Sequence, residues 1–160
     1  MKFTATTVKT AIGAAAIATA GVLGAATASA APPAIQGFGT SQQLVDGPMV
    51  TNYTVSNLQP TDVVIPGYTP QGKLYQADIT AKSDSGTVTP LISDFNARAG
   101  NGQTYHVIDN AAAPNGISPA PINQGQQSSG KMYFDVTGPP PNGVVYNDGV
   151  QDVLIWTSNV

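Results

Sequence analysis

The chain has 160 residues, six lysines and arginines against nine acids, a single histidine and no cysteine. That length holds one domain with an appendage. The missing cysteines exclude disulfides, thiol catalysis, a lipid-modified N-terminus and cysteine-ligated metal, and scattered acidic charge argues against nucleic acid or an anionic membrane as partner.

The appendage comes first. Lys2 and Lys9 precede an uncharged run over 11–23, and Ala28-Ser29-Ala30 offers the small residues that signal peptidase reads. The run is rich in alanine and glycine and leads into Pro32-Pro33, so it reads as a cleaved leader rather than a spanning helix, which needs about 20 strongly apolar residues. Residues 1–30 are expected to be a signal peptide cut between Ala30 and Ala31, and 31–160 the working domain. That domain carries four cations against nine carboxylates, a formal charge of −5, and all nine acids are aspartate. Aspartate favours turns and caps, whereas helix surfaces draw on glutamate. Without disulfides the domain must be held by its core, which is feasible because chains of this size bury roughly two-thirds of their unfolded surface.

Residues 31–40 read as a loose lead-in. Beyond them helical periodicity is absent and period-two alternation recurs. A strand is expected over 49–55. Over 73–82, Tyr75, Ala77, Ile79 and Ala81 face one way and Gln76, Asp78, Thr80 and Lys82 the other, as a sheet with one wet face requires. Residues 104–108, 143–146 and 152–157 read as strands, 62–65 and 87–91 less clearly so. Met132, Phe134 and Val136 alternate with Lys131, Tyr133 and Asp135, which are placed on the wet side.

Turn residues separate these runs. Asn101-Gly102 predicts a tight primed hairpin turn with positive φ at both positions, and Asp84-Ser85-Gly86, Asn142-Gly143 and Asn147-Asp148-Gly149 predict further turns. Residues 112–130 form a long connection rich in proline, asparagine, glutamine and serine, with room for a short strand around Ile122 or a single helical turn. Pro139-Pro140-Pro141 stops the strand before it. Seven to nine short strands at this spacing imply two antiparallel sheets packed face to face.

Several runs are also familiar. Val63-Val64-Ile65-Pro66-Gly67-Tyr68, Gly86-Thr87-Val88-Thr89-Pro90, Phe95-Asn96-Ala97-Arg98, the stretch from Gly130-Lys131 through Tyr133-Phe134-Asp135-Val136-Thr137-Gly138-Pro139, and Asp152-Val153-Leu154-Ile155-Trp156 resemble, in order, segments of the small secreted immunogenic antigens of mycobacteria, the immunoprotective extracellular protein family. The polar run Val50-Thr51-Asn52-Tyr53-Thr54 departs from that pattern. The resemblance implies an immunoglobulin-like antiparallel β-sandwich with a small additional sheet, exported into the medium. It also implies no established enzymatic activity, no catalytic residue to carry over, and a role in contact with host cells.

Candidate chemistry is sparse. His106 would need a nucleophile and an orienting acid within hydrogen-bond reach, and Asp109 lies three positions on, which on a strand is the opposite face. One histidine and no thiolate make a poor zinc site. Asp46, Asp84 and Asp148 sit in turn sequences, where the carboxylate caps its own backbone, and no spaced Asp-x-Asp pattern supports calcium near Asn147-Asp148-Gly149. Asn52-Tyr53-Thr54 fits a glycosylation sequon but reads as strand. Arg98 is either a binding anchor or a strand-end partner for an aspartate. Trp156, with Tyr133, Phe134 and Phe95, is most simply core, with a surface ligand-stacking platform as the alternative.

No catalytic, cofactor or metal residue is therefore assigned, and Arg98 and Trp156 stand as the interaction candidates. The leading expectation is a monomeric, non-enzymatic secreted module that meets an unidentified protein or host-surface partner through a sheet face or loop cluster, with no cofactor and no membrane insertion once the leader is gone. The alternatives are a hydrolase built on aspartates and His106, and a passive cell-envelope protein.

Overall fold

The alternation along the chain becomes ten strands in a computed structural model that describes residues 10–12 and 31–160. The strands are β1 (Thr10–Ile12), β2 (Ala34–Gly37), β3 (Ser41–Asp46), β4 (Met49–Pro60), β5 (Lys73–Ser85), β6 (Phe95–Ala99), β7 (Thr104–His106), β8 (Gln127–Val136), β9 (Pro141–Asn147) and β10 (Asp152–Thr157). A short 3-10 helix spans Ile92–Asp94. One sheet has the order β1-β3-β4-β5-β8 and the other β2-β10-β9-β6-β7. Apart from the backbone pairing of β1 with β3, the leader expected over 1–30 lies outside the described residues.

The two sheets pack face to face. Their facing side chains alternate along each strand: Tyr53 and Val55 from β4, Ala77, Ile79 and Ala81 from β5, and Met132, Phe134 and Val136 from β8 meet Phe95, Ala97, Val144, Tyr146, Leu154 and Trp156. Aromatic rings fill the centre. Phe95 meets Tyr53 and Tyr146 edge-on with centroids 5.2 Å from each, and stacks on Trp156 at 6.2 Å. Such pairs add stability beyond the area they bury, in a domain with no covalent cross-link. Trp156 directs its indole N–H to the carbonyl of Thr40 at 2.8 Å, so its one polar atom is satisfied inside.

The strands expected over 73–82 and 152–157 are present, the first extended to Ser85. Several details differ from the sequence reading: among them, 87–91 holds only an isolated bridge at Val88, and Asn142-Gly143 lies within β9 and not in a turn. The loose lead-in contains β2, which runs parallel to β10; the sheets are thus antiparallel except for this pair. The Asn101-Gly102 turn is not a primed turn, because only Gly102 has positive φ, +89°. Gly102 N–H instead bonds Ala99 O and Gln103 O accepts from Ala99 N–H, both at 2.9 Å: a tight turn followed by a left-handed glycine, the common three-residue hairpin loop. Residues 62–65 are not a strand; they lie over the outer face of the first sheet, where Ile65, Leu74 and Tyr133 form a second small core. Tyr133 is therefore buried and not on a wet face. In place of a separate small sheet, three isolated bridges occur among the described residues: Val88 with Ile122, Val107 with Phe134, and Gly116 with Lys131.

The last two bridges position the site. Edge strands present unpaired backbone groups that must be covered. Val107 joins the edge of one sheet to Phe134 at the edge of the other, Ile108 N–H bonds Tyr133 O at 2.8 Å, and residues 115–117 then cover β8 from outside.

A candidate binding cavity at the joined sheet edges

A cavity of about 400 Å3 opens where these two edges meet. Val107 and Ile108, just past β7, and Met132 and Tyr133 of β8 line one side, and Ile92 of the 3-10 helix closes one end. The opposite wall is the segment 111–119, with Ile117 as its largest apolar side chain. Ala111, Ala112, Ala113 and Gly116 leave the space that larger side chains would fill.

The wall is fastened by backbone chemistry. Asn115 adopts a left-handed conformation, φ +54°, one that asparagine tolerates better than most residues. Its carbonyl accepts from Lys131 N–H at 2.8 Å, Ile117 N–H reaches Lys131 O at 3.3 Å, and the Tyr133 hydroxyl donates to Pro114 O at 2.7 Å. This close docking requires glycine at 130: a Cβ there would lie 2.4 Å from Ile117 N and 2.5 Å from its Cα. Burial raises the Tyr133 hydroxyl above its ordinary value, with Lys131 opposing, so at neutral pH it is the donor this bond needs.

Polar groups stand only at the margins. Lys131 pairs with Asp78 at 2.6 Å, and Asp78 also accepts from the Asn57 amide at 2.7 Å. The Asn57 and Lys131 hydrogen bonds together hold the Asp78 carboxyl below its usual range. Asp109 lines the cavity, is exposed, and makes no hydrogen bond or ion pair among the described residues. On the other side of the 115–117 strap, Thr80, Ser129 and Gly130 line an open polar recess that shares Gly116 and Lys131 with the cavity.

The residues singled out in the sequence fall elsewhere. Arg98 lies on the outer face of the second sheet and forms a two-point ion pair with Asp152. Trp156 is 0 % exposed; its position in the central aromatic cluster removes it as a surface stacking platform. His106 is exposed on β7 and bonds to no carboxylate or hydroxyl among the described residues. Among those residues no three His, Cys, Asp or Glu side chains gather as metal ligands would. Asp148 caps its turn, accepting from Val150 and Gln151 N–H at 2.9 Å. Asp84 does not: its carboxylate pairs with Lys82 and accepts the Asn52 amide across the outer face of the first sheet. The cavity itself went unread. Its one signal is the Ala111-Ala112-Ala113 run, which overlaps the start of the long 112–130 connection.

Two five-stranded sheets packed face to face, antiparallel except where β2 runs beside β10, define an immunoglobulin-like β-sandwich. Residues 33–156 match the family described as Domain of unknown function (DUF1942), and the chain belongs to that family. It is 44% identical over 158 residues to immunogenic protein MPT63 of Mycobacterium tuberculosis, covering 98% of this chain and 99% of the relative. The same values hold for immunogenic protein MPB63 of Mycobacterium bovis. The crystal structure of MPT63, a secreted protein from Mycobacterium tuberculosis, superposes with a TM-score of 0.78 over 80% of this chain and 99% of that one. The yjhA protein from Bacillus subtilis shares the fold at a TM-score of 0.51 and 16% identity, over 73% and 84% of the two chains. Among the described residues no helix is long and apolar enough to cross a membrane.

Proposed function

We propose that the chain is exported, loses residues 1–30 between Ala30 and Ala31, and works outside the cell as a monomeric, non-enzymatic binding module, with the cavity walled by 111–119 as its binding site. The observation that carries the reading is a volume of about 400 Å3 with mostly apolar lining and a few polar groups at its rim, the usual build of a small-molecule pocket. The similarity to a secreted immunogenic protein supports the location.

The reading is tested by titrating the purified chain with 1-octanol, a neutral apolar probe, in parallel with an Ala112→Trp variant. Ala112 is exposed at the cavity wall, so the indole occupies the entrance without disturbing the core. Saturable binding to the parent chain, lost in the variant, is expected. Equal binding by both chains, or none by either, would overturn the site.

A further inference from the structure

We propose that the ligand of this cavity is a small amphipathic amine, with its apolar body enclosed by the cavity and its protonated nitrogen at Asp109; the proposal rests on the reading of the cavity as the binding site. Charge and volume both lead there.

Four cations lie within 31–160, and each is held by an aspartate: Lys73 by Asp62, Lys82 by Asp84, Arg98 by Asp152 and Lys131 by Asp78. The one cation lining the cavity, Lys131, is thus already neutralised at 2.6 Å. An anionic ligand would have to draw Lys131 away and leave Asp78 with only the Asn57 amide. It would also face Asp109, whose carboxylate has no partner among the described residues. A protonated amine meets the opposite situation. It supplies the counter-charge that Asp109 lacks and leaves the Lys131–Asp78 pair intact. The surplus of carboxylates over cations across 31–160 favours the approach of a cation over that of an anion.

The volume bounds the body. A cavity of ~150 Å3 lined by apolar side chains admits one benzene ring. A space of about 400 Å3 accepts a fused two-ring system or an alkyl chain of about eight to ten carbons by the same comparison. The apolar walls formed by Ile92, Val107, Ile117 and Met132 suit carbon, and no buried charge waits inside to be matched. The rim placement matters, because an ammonium ion taken fully out of water carries a large desolvation cost, whereas Asp109 and its cation remain wet.

The test is calorimetric titration of the purified chain with three probes of one chain length, octylamine, 1-octanol and octanoate, at low and high salt. Parallel titrations use Asp109→Asn and Ala112→Trp. Octylamine is expected to bind about three- to tenfold tighter than octanol, as a partly desolvated ion pair allows, and octanoate weaker than both. Asp109→Asn should bring octylamine to the affinity of octanol, and added salt should do the same for the parent chain. Ala112→Trp should remove all three. Octanoate binding as tightly as octylamine, or an amine affinity indifferent to Asp109→Asn, would overturn the amine while octanol binding blocked by Ala112→Trp kept the cavity as the site. Absence of binding by all three probes would overturn both.

Discussion

Arg98 of β6 reaches over β9 to grip Asp152 of β10. Arg98 stands beside Gly143 and Asp152 beside Asn147, and β9 separates their strands. The outward residue of β9 between those two positions is Val145, which is 1 % exposed despite lying on the outer face. Val145 lies between Asn96 and Ile155 in the pairing, on the path from Arg98 to Asp152, where a long aliphatic stem is placed to shield it as well as to deliver a charge. Asn147 completes the arrangement, donating its amide to Asp152 at 2.9 Å.

Replacing Arg98 should accordingly cost stability through two routes, uncovering Val145 and stranding Asp152. Arg98→Ala is expected to lower the unfolding free energy by about 1–2 kcal/mol, held to that range because both partners keep contact with water. Arg98→Lys should recover part of the loss, since an ammonium keeps charge and stem but lacks the two-pronged fork. Urea denaturation of the three chains decides it, and an Arg98→Ala midpoint equal to the parent's would show that the pair contributes nothing.

Three carboxyls set the acid limit. The hydrogen bond from Arg98, opposed by burial and aided by Asn147, holds Asp152 below its ordinary value, and the Asn57 and Lys131 hydrogen bonds do the same for Asp78. Burial pushes Asp135 upward, but Gln71 and Gly72 N–H at 2.8 Å and the Tyr68 hydroxyl at 2.9 Å outweigh it, and the net direction is down. A carboxyl depressed in the folded state contributes stability above its unfolded value, near 3.8, and loses it as pH falls through the folded value. At the other end, burial lifts Tyr53 from 10.0 to about 12 and raises Tyr146 as well; that contribution is intact below the unfolded value of 10.0 and fades as pH climbs past it. Thermal melting against pH should show a plateau between about pH 5 and 9 that drops below about pH 4 and above about pH 10. A melting temperature that rose on acidification to pH 3 would reverse the sign and refute the assignment.

Gly130 is the position on which the cavity wall depends. Its substitution by alanine puts a methyl carbon against the backbone of Ile117, which a side-chain rotation cannot relieve. The expected loss is about 1–3 kcal/mol, typical of overpacking. Hydrogen exchange should quicken at Lys131 and Ile117, whose amides hold the strap. Exchange at Val144 and Leu154 in the second sheet should stay slow, since the strands there do not pair with β8. Unchanged protection at Ile117 would mean that the strap is not held by its contact with β8.

Most of the framework was legible because it follows period two. β10 was readable to the residue and β5 to within its last three residues, whereas β8 was read only from Lys131, because Gln127, Ser128, Ser129 and Gly130 at its start carry no apolar side chain. What escaped breaks that rule for a physical reason. In β3, Gln42 occupies an inward position, buried at 4 % exposure with its amide on Ile155 O, so the strand reads as polar on both faces. Tyr133 looked wet because the segment that covers it, 61–70, lies far away in sequence. Arg98 was legible in chemistry but not in partner, since Asp152 is 54 residues on. The cavity was hidden for a related reason: its volume is the space left when a loop of small residues docks across an edge strand, and no local pattern encodes a gap. Its wall nonetheless lies within the long connection that the sequence marked as unusual.

The most direct test of the account is a map of probe binding residue by residue. Amide chemical shifts of the labelled chain, followed during a titration with 1-octanol, should move at Val107, Ile108 and Asp109, along Ala111 to Ala113, at Gly116 to Ser118 and at Lys131 to Tyr133. The outer-face residues around Arg98 and Ile155 should stay still. Shifts gathered on that outer face, with the cavity amides unmoved, would contradict the central claim that this protein binds at its joined sheet edges.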